Sequence, residues 1–146
     1  MHSMSITNDY IVGLIDGEGS FTVYVRDPKS SKITKRRVQV EPKFYVKLTA
    51  EDKPILNGLK EFFGCGNVYF QKDTRKNHRN CYRYEVANRT HLTEIIIPFF
   101  KKNRPKIPTK KRDFELFCQM MSMIEKGKHL TSNGLNVLYQ MKKRMH

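Results

Sequence analysis

The stretch "IVGLIDGEGSF", residues 11 to 21, opens as an apolar segment and closes on two carboxylates, Asp16 and Glu18, set among Gly13, Gly17 and Gly19. Thr7 or Asn8 can cap a helix running from about Asp9 to Gly17. Tyr10, Ile11, Val12, Leu14 and Ile15 cover most of its circumference, the pattern of a buried helix. Gly13 and Gly17 lie one turn apart and clear one stripe of side-chain bulk, so another backbone can come close. An acid at a helix C-terminus opposes the helix dipole, so the acids at this end need a separate cause.

Downstream the period changes to two. Phe21, Val23 and Val25 alternate with Thr22, Tyr24 and Arg26, which predicts a strand with one buried face. Residues 27 to 32, "DPKSSK", read as a turn or loop. In the next run Val38, Val40, Pro42, Phe44, Val46 and Leu48 face one way, and Arg37, Gln39, Glu41, Lys43, Tyr45 and Lys47 the other. Pro42 predicts a bulge or a local edge there. Residues 49 to 64 read as a capped helix stopped by Gly64.

Two further strands begin at Asn67 and Cys81, joined by the basic connection of residues 72 to 80. A helix over "RTHLTEIIIPFF" follows, then a basic loop with two prolines at residues 101 to 112. A helix from Asp113 to Lys126 presents Phe114, Phe117, Cys118 and Met121 on one face. After the break at residues 126 to 129, Thr131 or Ser132 caps a last helix ending in "MKKRMH".

The order predicts one α+β domain over residues 1–146, with a four-stranded antiparallel sheet and helices on one face. The other sheet face carries Thr22, Tyr24, Arg26, Arg37, Gln39, Lys43, Tyr45, Lys47, Asn67, Tyr69, Gln71 and Arg83, with Glu41 and Glu85 as its only acids. Arg and Lys suit guanine edges and phosphates, and Gln and Asn suit adenine edges.

Composition points the same way. The 146 residues carry 28 Lys plus Arg against 14 Asp plus Glu, a formal net charge of +14. Such a chain attracts polyanions, nucleic acid before an anionic membrane surface. A basic ribosomal or structural protein would share this charge, so charge alone names no activity. No apolar run approaches the ~18 residues of a membrane span, and the N-terminus lacks the layout of a secretory signal. Cys65, Cys81 and Cys118 fit neither a disulfide framework nor a zinc or redox site, and read as reduced thiols of an intracellular protein. His2, His78, His91, His129 and His146 make no metal-ligand pattern.

"IVGLIDGEG", residues 11 to 19, resembles the nine-residue signature of the LAGLIDADG homing endonucleases, agreeing at Gly13, Leu14, Ile15, Asp16 and Gly19. "KEFFGCGNVY" from Lys60, "CYRYEV" from Cys81, "TKKRDFELF" from Thr109 and "KGKHLTSNGL" from Lys126 resemble later parts of that family, so the likeness covers nearly the whole chain. It implies the family's αββαββα core with a saddle-shaped sheet, and metal-dependent hydrolysis of DNA phosphodiesters. The second acid of the signature, here Glu18, then binds Mg²⁺, with Mn²⁺ as a substitute and the Gly19 carbonyl as a further ligand. Asp16 takes the family's structural role near the helix end, and Gly13 and Gly17 match the small positions where two signature helices cross. A lysine completing the site falls at Lys110, with Lys111 as the alternative. The family's glutamine near the end of the second strand is replaced by Leu48, which cannot orient a water, and Lys47 or an ordered water is left for that role, if it is filled at all.

Only one signature occurs; "NGLKEFFGCG", residues 57 to 66, has glycines but no acids in the right places. Two cuts need two sites, so the resemblance implies a homodimer through the signature helix, acting on a pseudo-palindromic DNA and leaving staggered ends. The surface strand residues would contact bases. Lys29, Lys32, Lys35 and Arg36 around the first hairpin, and Lys72, Arg75, Lys76 and Arg79 around the second, would grip the backbone in a salt-sensitive way. The alternative is a non-cleaving binder on the same scaffold, such as an intron-splicing maturase. Some members do both, which leaves intron RNA open as a partner. The expected setting is an intron-encoded enzyme in a bacterial cytoplasm or in a chloroplast or mitochondrion.

Overall fold

Helix α1 (Asn8–Glu18) starts where Tyr10 N donates to the Thr7 side-chain oxygen at 3.2 Å, one residue ahead of the expected start. Ile11 and Ile15 are fully buried and Val12 nearly so, against strands β1 (Gly19–Val25) and β2 (Val40–Thr49). The helix is not buried all round, however. Tyr10 is 48% exposed, Gly13 and Gly17 are exposed and Leu14 is half-buried. These four share one face of the helix, and among the described residues an added Cβ at Gly13 or Gly17 would meet nothing within 4 Å. The computed structural model describes residues 6–29, 38–72, 75 and 79–146. Arg37, Lys32, Lys35, Arg36 and Lys76 lie outside the described residues.

β1 and β2 pair antiparallel from Gly19↔Val46 to Val25↔Val40, with the predicted alternation of buried and half-exposed residues. Pro42 is no bulge, because the register runs through Val23↔Pro42 without interruption. Arg26 N bonds Gln39 O at 2.8 Å, so by alternation Val23 and Pro42 form a non-hydrogen-bonded pair. The missing N–H of Pro42 therefore points away from β1, toward a neighbour that ends opposite Phe44. Pro42 thus sits at a local edge and costs the ladder nothing.

β2 runs through Thr49, and a 3₁₀ turn (Ala50–Asp52) leads into α2 (Lys53–Phe63), so the expected helix starts later than its sequence pattern. Gly64 ends α2 in the left-handed region at φ 68°. Strands β3 (Asn67–Gln71) and β4 (Cys81–Val86) complete a sheet of order β1-β2-β4-β3. α3 (Arg89–His91), a π-helical turn (Leu92–Ile96) and α4 (Ile97–Lys102) run on without a break. The wider turn precedes Pro98, which has no N–H to close an α-helical bond; the Ile97 N–H bonds Leu92 O instead.

Phe21 is the centre of the core. Its ring lies 5.2 Å from Phe44, 5.3 Å from Phe100, 5.0 Å from Phe114 and 5.6 Å from Phe117. These contacts clamp β1 and β2 to α4 and to α5 (Pro108–Glu125). Behind them the buried Tyr84 hydroxyl donates to the Cys65 carbonyl at 2.9 Å, and burial raises both the Tyr84 phenol and the Cys65 thiol. All three cysteines are free thiols. α6 (Ser132–Lys143), capped by Thr131, packs on β1.

α5 departs most from the sequence expectation. It begins at Pro108 rather than Asp113, which shortens the basic loop and puts Lys110 and Lys111 on a helix. Proline suits the first helical position because its absent N–H is one of those left unbonded there. The N–H groups just ahead of it are satisfied from across the fold. Lys106 N donates to both Asp16 carboxylate oxygens at 3.0 and 3.1 Å, and Ile107 N to Oδ1 at 3.3 Å.

Asp16 therefore acts as the cap that α5 lacks locally. Asp16→Ala should cost about 0.5–2 kcal/mol, the usual range for a lost helix cap, read as a lower midpoint in urea unfolding at unchanged slope. Asp16→Asn, which keeps one acceptor oxygen, should lose less. Equal stability of wild type and Asp16→Ala would show that the cap contributes nothing.

Candidate active site and nucleic-acid interface

The residues singled out at the end of α1 separate in the structure. Asp16 is engaged by the α5 approach. Gly17 is exposed. Glu18, the last helical residue, is also exposed, and among the described residues its carboxylate has no ion pair or hydrogen bond. Gly19 turns the chain into β1, and its N–H bonds Ile15 O. A Cβ at Gly19 would stand 2.6 Å from Ile15 Cγ2 and 2.9 Å from its Cα, so no larger residue lets the strand leave the helix this closely.

Across from this junction, the half-buried Lys110 donates through Nζ to the Gly19 carbonyl oxygen. Lys111 is exposed on the next position of α5 and makes no such contact. The fold thus brings Lys110, rather than Lys111, to the residue beside Glu18. The cause is the Asp16 cap, which fixes the approach to α5 three and four residues before Lys110.

The donor set here suits a hard divalent cation. It consists of an exposed carboxylate and an adjacent carbonyl oxygen; the Lys110 ammonium bonds that oxygen here and would have to yield to a metal, turning to a phosphate instead. Mg²⁺ is commonly held by one or two carboxylates, with water and substrate phosphates filling the remaining positions. Among the described residues no cluster of three or more His, Cys, Asp or Glu side chains makes a complete protein cage. The end of β2 separates Lys47 from Leu48. Lys47 is exposed on the polar face, whereas Leu48 packs against the apolar core.

The register arranges the polar face in rows across the sheet. One row is Ser20, Tyr45, Glu85 and Asn67; the next is Lys47, Arg83 and Tyr69; a third is Thr49, Cys81 and Gln71. Thr22 lies opposite Lys43, and Tyr24 opposite Glu41. Beyond the last paired rung, Arg26 Nε donates to Gln39 Oε1 at 2.8 Å. All of these side chains are half-buried or exposed, and Arg75 is exposed in the connection beyond β3.

The two acids of this face are engaged by its cations. Lys43 lies 3.2 Å from Glu41 and 3.7 Å from Glu85, and Arg83 lies 3.2 Å from Glu85. The Arg83 guanidinium also covers the Tyr45 ring, 3.5 Å from its centroid. Arg79, expected to grip a backbone, pairs with Glu51 at 3.0 Å on the surface in the absence of DNA. Sequence reasoning missed Lys142, whose ammonium lies 5.3 Å from the Tyr24 ring and brings the end of α6 to the sheet. The basic ending "MKKRMH" was its only signal, and nothing in it names β1 as the neighbour. A cleft of about 770 Å³ at the β3 edge, between α2 and β4, does not include Glu18.

The comparisons with known proteins agree with this geometry. The family described as LAGLIDADG endonuclease matches residues 11–121. A relative named "Probable intron-encoded DNA endonuclease 1", from Mycosarcoma maydis, is 38% identical over 116 residues, covering 79% of this chain and 37% of the relative. The crystal structure of a homing endonuclease, I-TnaI, superposes with a TM-score of 0.80 at 34% identity, over 98% of this chain and 90% of that one. The LAGLIDADG homing endonuclease I-GzeII, in complex with its DNA target, gives a TM-score of 0.81 at 28% identity, over 99% of this chain and 46% of that one. The chain spans well under half the length of the first curated relatives it matches. A match running from the signature helix well into α5 makes the assignment plain: the chain belongs to the LAGLIDADG endonuclease family.

Proposed function

We propose that this chain is a site-specific DNA endonuclease that works as two copies on one duplex, each copy cutting one strand to leave staggered ends. The observation carrying the reading is the division of labour at the end of α1. Of its two acids, one is consumed by the fold and the other is left exposed beside a lysine-bearing carbonyl. A binder that never cuts has no use for an exposed carboxylate next to phosphates. The exposed, cation-rich sheet face and the net charge of +14 support DNA as the partner.

Glu18 and the Gly19 carbonyl would hold Mg²⁺, or Mn²⁺ in its place, which when bound supplies an activated water and charge neutralisation at the scissile phosphate. Lys110 keeps a positive charge at this end of α1, where it can face a phosphate oxygen. Asp16 holds the helix from which Lys110 projects. The setting we assign is the interior of an intron-bearing host, in the cytoplasm or an organelle.

The second copy is argued from Gly13 and Gly17. A Cβ at either position would meet nothing within 4 Å, so packing inside the chain does not require glycine there. In a helix interior glycine costs roughly 1 kcal/mol relative to alanine. A close approach by a second α1 would explain why that cost is borne. I-GzeII, of which this chain covers 46%, is about twice as long, leaving room for two such units in one chain.

Two experiments test the reading. With Mg²⁺ and a duplex library, wild type should cleave a specific site, and EDTA should stop cleavage. Glu18→Gln should cut at a rate lowered by more than about 100-fold, beyond the range for loss of an outer-shell partner, while still binding the site. Specific binding by wild type without nicking in Mg²⁺ or Mn²⁺ would refute the endonuclease. Gly13→Leu should remain folded, with an unfolding midpoint that no longer rises with protein concentration, and should abolish the dimer in analytical ultracentrifugation. One wild-type chain per cognate duplex, or an intact Gly13→Leu dimer, would refute assembly through this face.

A further inference from the structure

The acids on the sheet face pose a question that cleavage does not answer. A surface that meets a polyanion has little electrostatic reason to carry Glu41 and Glu85. Both are tied to cations on the same face, and Glu85 lies within 3.7 Å of Lys43 and 3.2 Å of Arg83. Arg83 is held from two sides, by Glu85 through Nη2 and by the Tyr45 ring 3.5 Å below its guanidinium carbon. Its side chain is only 21% exposed. The Arg83 Nε is buried and has no hydrogen-bond partner, so the group's remaining donors are at its outer end.

We infer that Arg83 is a preset guanine reader of the half-site, and that Tyr45 and Glu85 are the residues that position it. This rests on the proposed reading of the sheet as the DNA-facing surface. Arginine contacts guanine O6 and N7 with two parallel N–H groups, a geometry that a loose side chain must lose entropy to reach. The ring and the carboxylate fix the plane of the guanidinium before DNA arrives. Nη2 carries two hydrogens, so its bond to Glu85 leaves one for a base. Glu85 also cancels the charge that would otherwise hold any phosphate equally well, turning the cation from a general anchor into a discriminating one. Lys47, next to Arg83 in its row, is exposed and has no such carboxylate and ring to hold it among the described residues.

The test selects duplexes from a library randomised across the site, in EDTA so that none is cut, and sequences the bound fraction. Wild type should enrich a two-fold related motif containing guanine at one symmetric pair of positions. Arg83→Lys keeps the charge but loses the planar fork that the ring and carboxylate hold in place, and should lower that guanine preference by roughly tenfold to a hundredfold, with the other positions retained. Tyr45→Leu should weaken the same position, and Tyr45→Phe, which keeps the ring, should not. Glu85→Gln should flatten the preference while tightening binding to unrelated duplex, an outcome that mere loss of structure would not give.

A guanine preference unchanged in Arg83→Lys overturns the assignment. So does an unchanged preference in Arg83→Gln, the second variant, provided its thermal melt matches wild type. A wild-type motif with no symmetric guanine overturns it as well, while leaving site-specific binding intact. Failure of wild type to enrich any sequence would overturn the DNA-reading surface itself.

Discussion

The carboxylate of Asp16 joins the signature helix to the approach of α5, and the candidate site depends on that bond. Asp16 is at the C-terminal end of its own helix, where the dipole disfavours an acid. It is also at the N-terminal end of α5, where the dipole favours one, and it receives the Lys106 and Ile107 N–H groups there. The first turn of α5 carries Lys110 and Lys111 and no acid, so that turn supplies no counter-charge of its own. Asp16 provides it from ninety residues away in sequence. Lys110 then reaches the Gly19 carbonyl, and Glu18 is left as the carboxylate without a structural duty.

The glycines of the signature divide in the same way. Gly19 is required by the fold, because the strand leaves the helix against Ile15 with no space for a Cβ. Gly13 and Gly17 are not, since each faces open space. One stretch of eleven residues therefore holds both internal constraints and outward-facing ones. The side-chain surroundings tell them apart, although their spacing alone does not.

What the sequence made legible follows from which forces are local. The alternation of Phe21, Val23 and Val25 with Thr22, Tyr24 and Arg26 reports burial on one side of a pleat, and the structure reproduces it residue by residue. Gly64 ends α2 as expected because a left-handed residue is a local demand. The start of α5 is hidden in the sequence because "KKNRPKIPTKKR" has the composition of a loop, and the group that receives the N–H bonds just ahead of the helix belongs to α1. The π-helical turn before Pro98 likewise lies inside a pattern that reads as plain helix. The face of Lys47 and Leu48 was legible, whereas which of Lys110 and Lys111 reaches the Gly19 carbonyl depends on the phase of α5.

The long-range register was the least legible feature, and it decides the chemistry of the sheet. Tyr45 and Glu85 share a row, and Arg83 lies in the next, only because β4 pairs with β2 from Phe44↔Val86 to Thr49↔Cys81. A slip of one residue would turn every β4 side chain to the other face and bury Arg83 in place of Tyr84. Tyr84 guards against that slip. Its ring is fully buried and its hydroxyl is bonded to the Cys65 carbonyl, a partner that exists only in this register. Gly66, at φ 84°, lets the chain pass this ring, with an added Cβ only 2.7 Å from it and 2.8 Å from the Glu85 carbonyl. The buried side of the sheet thereby sets which cations and acids meet on the exposed side, and the polar face inherits its order from the core.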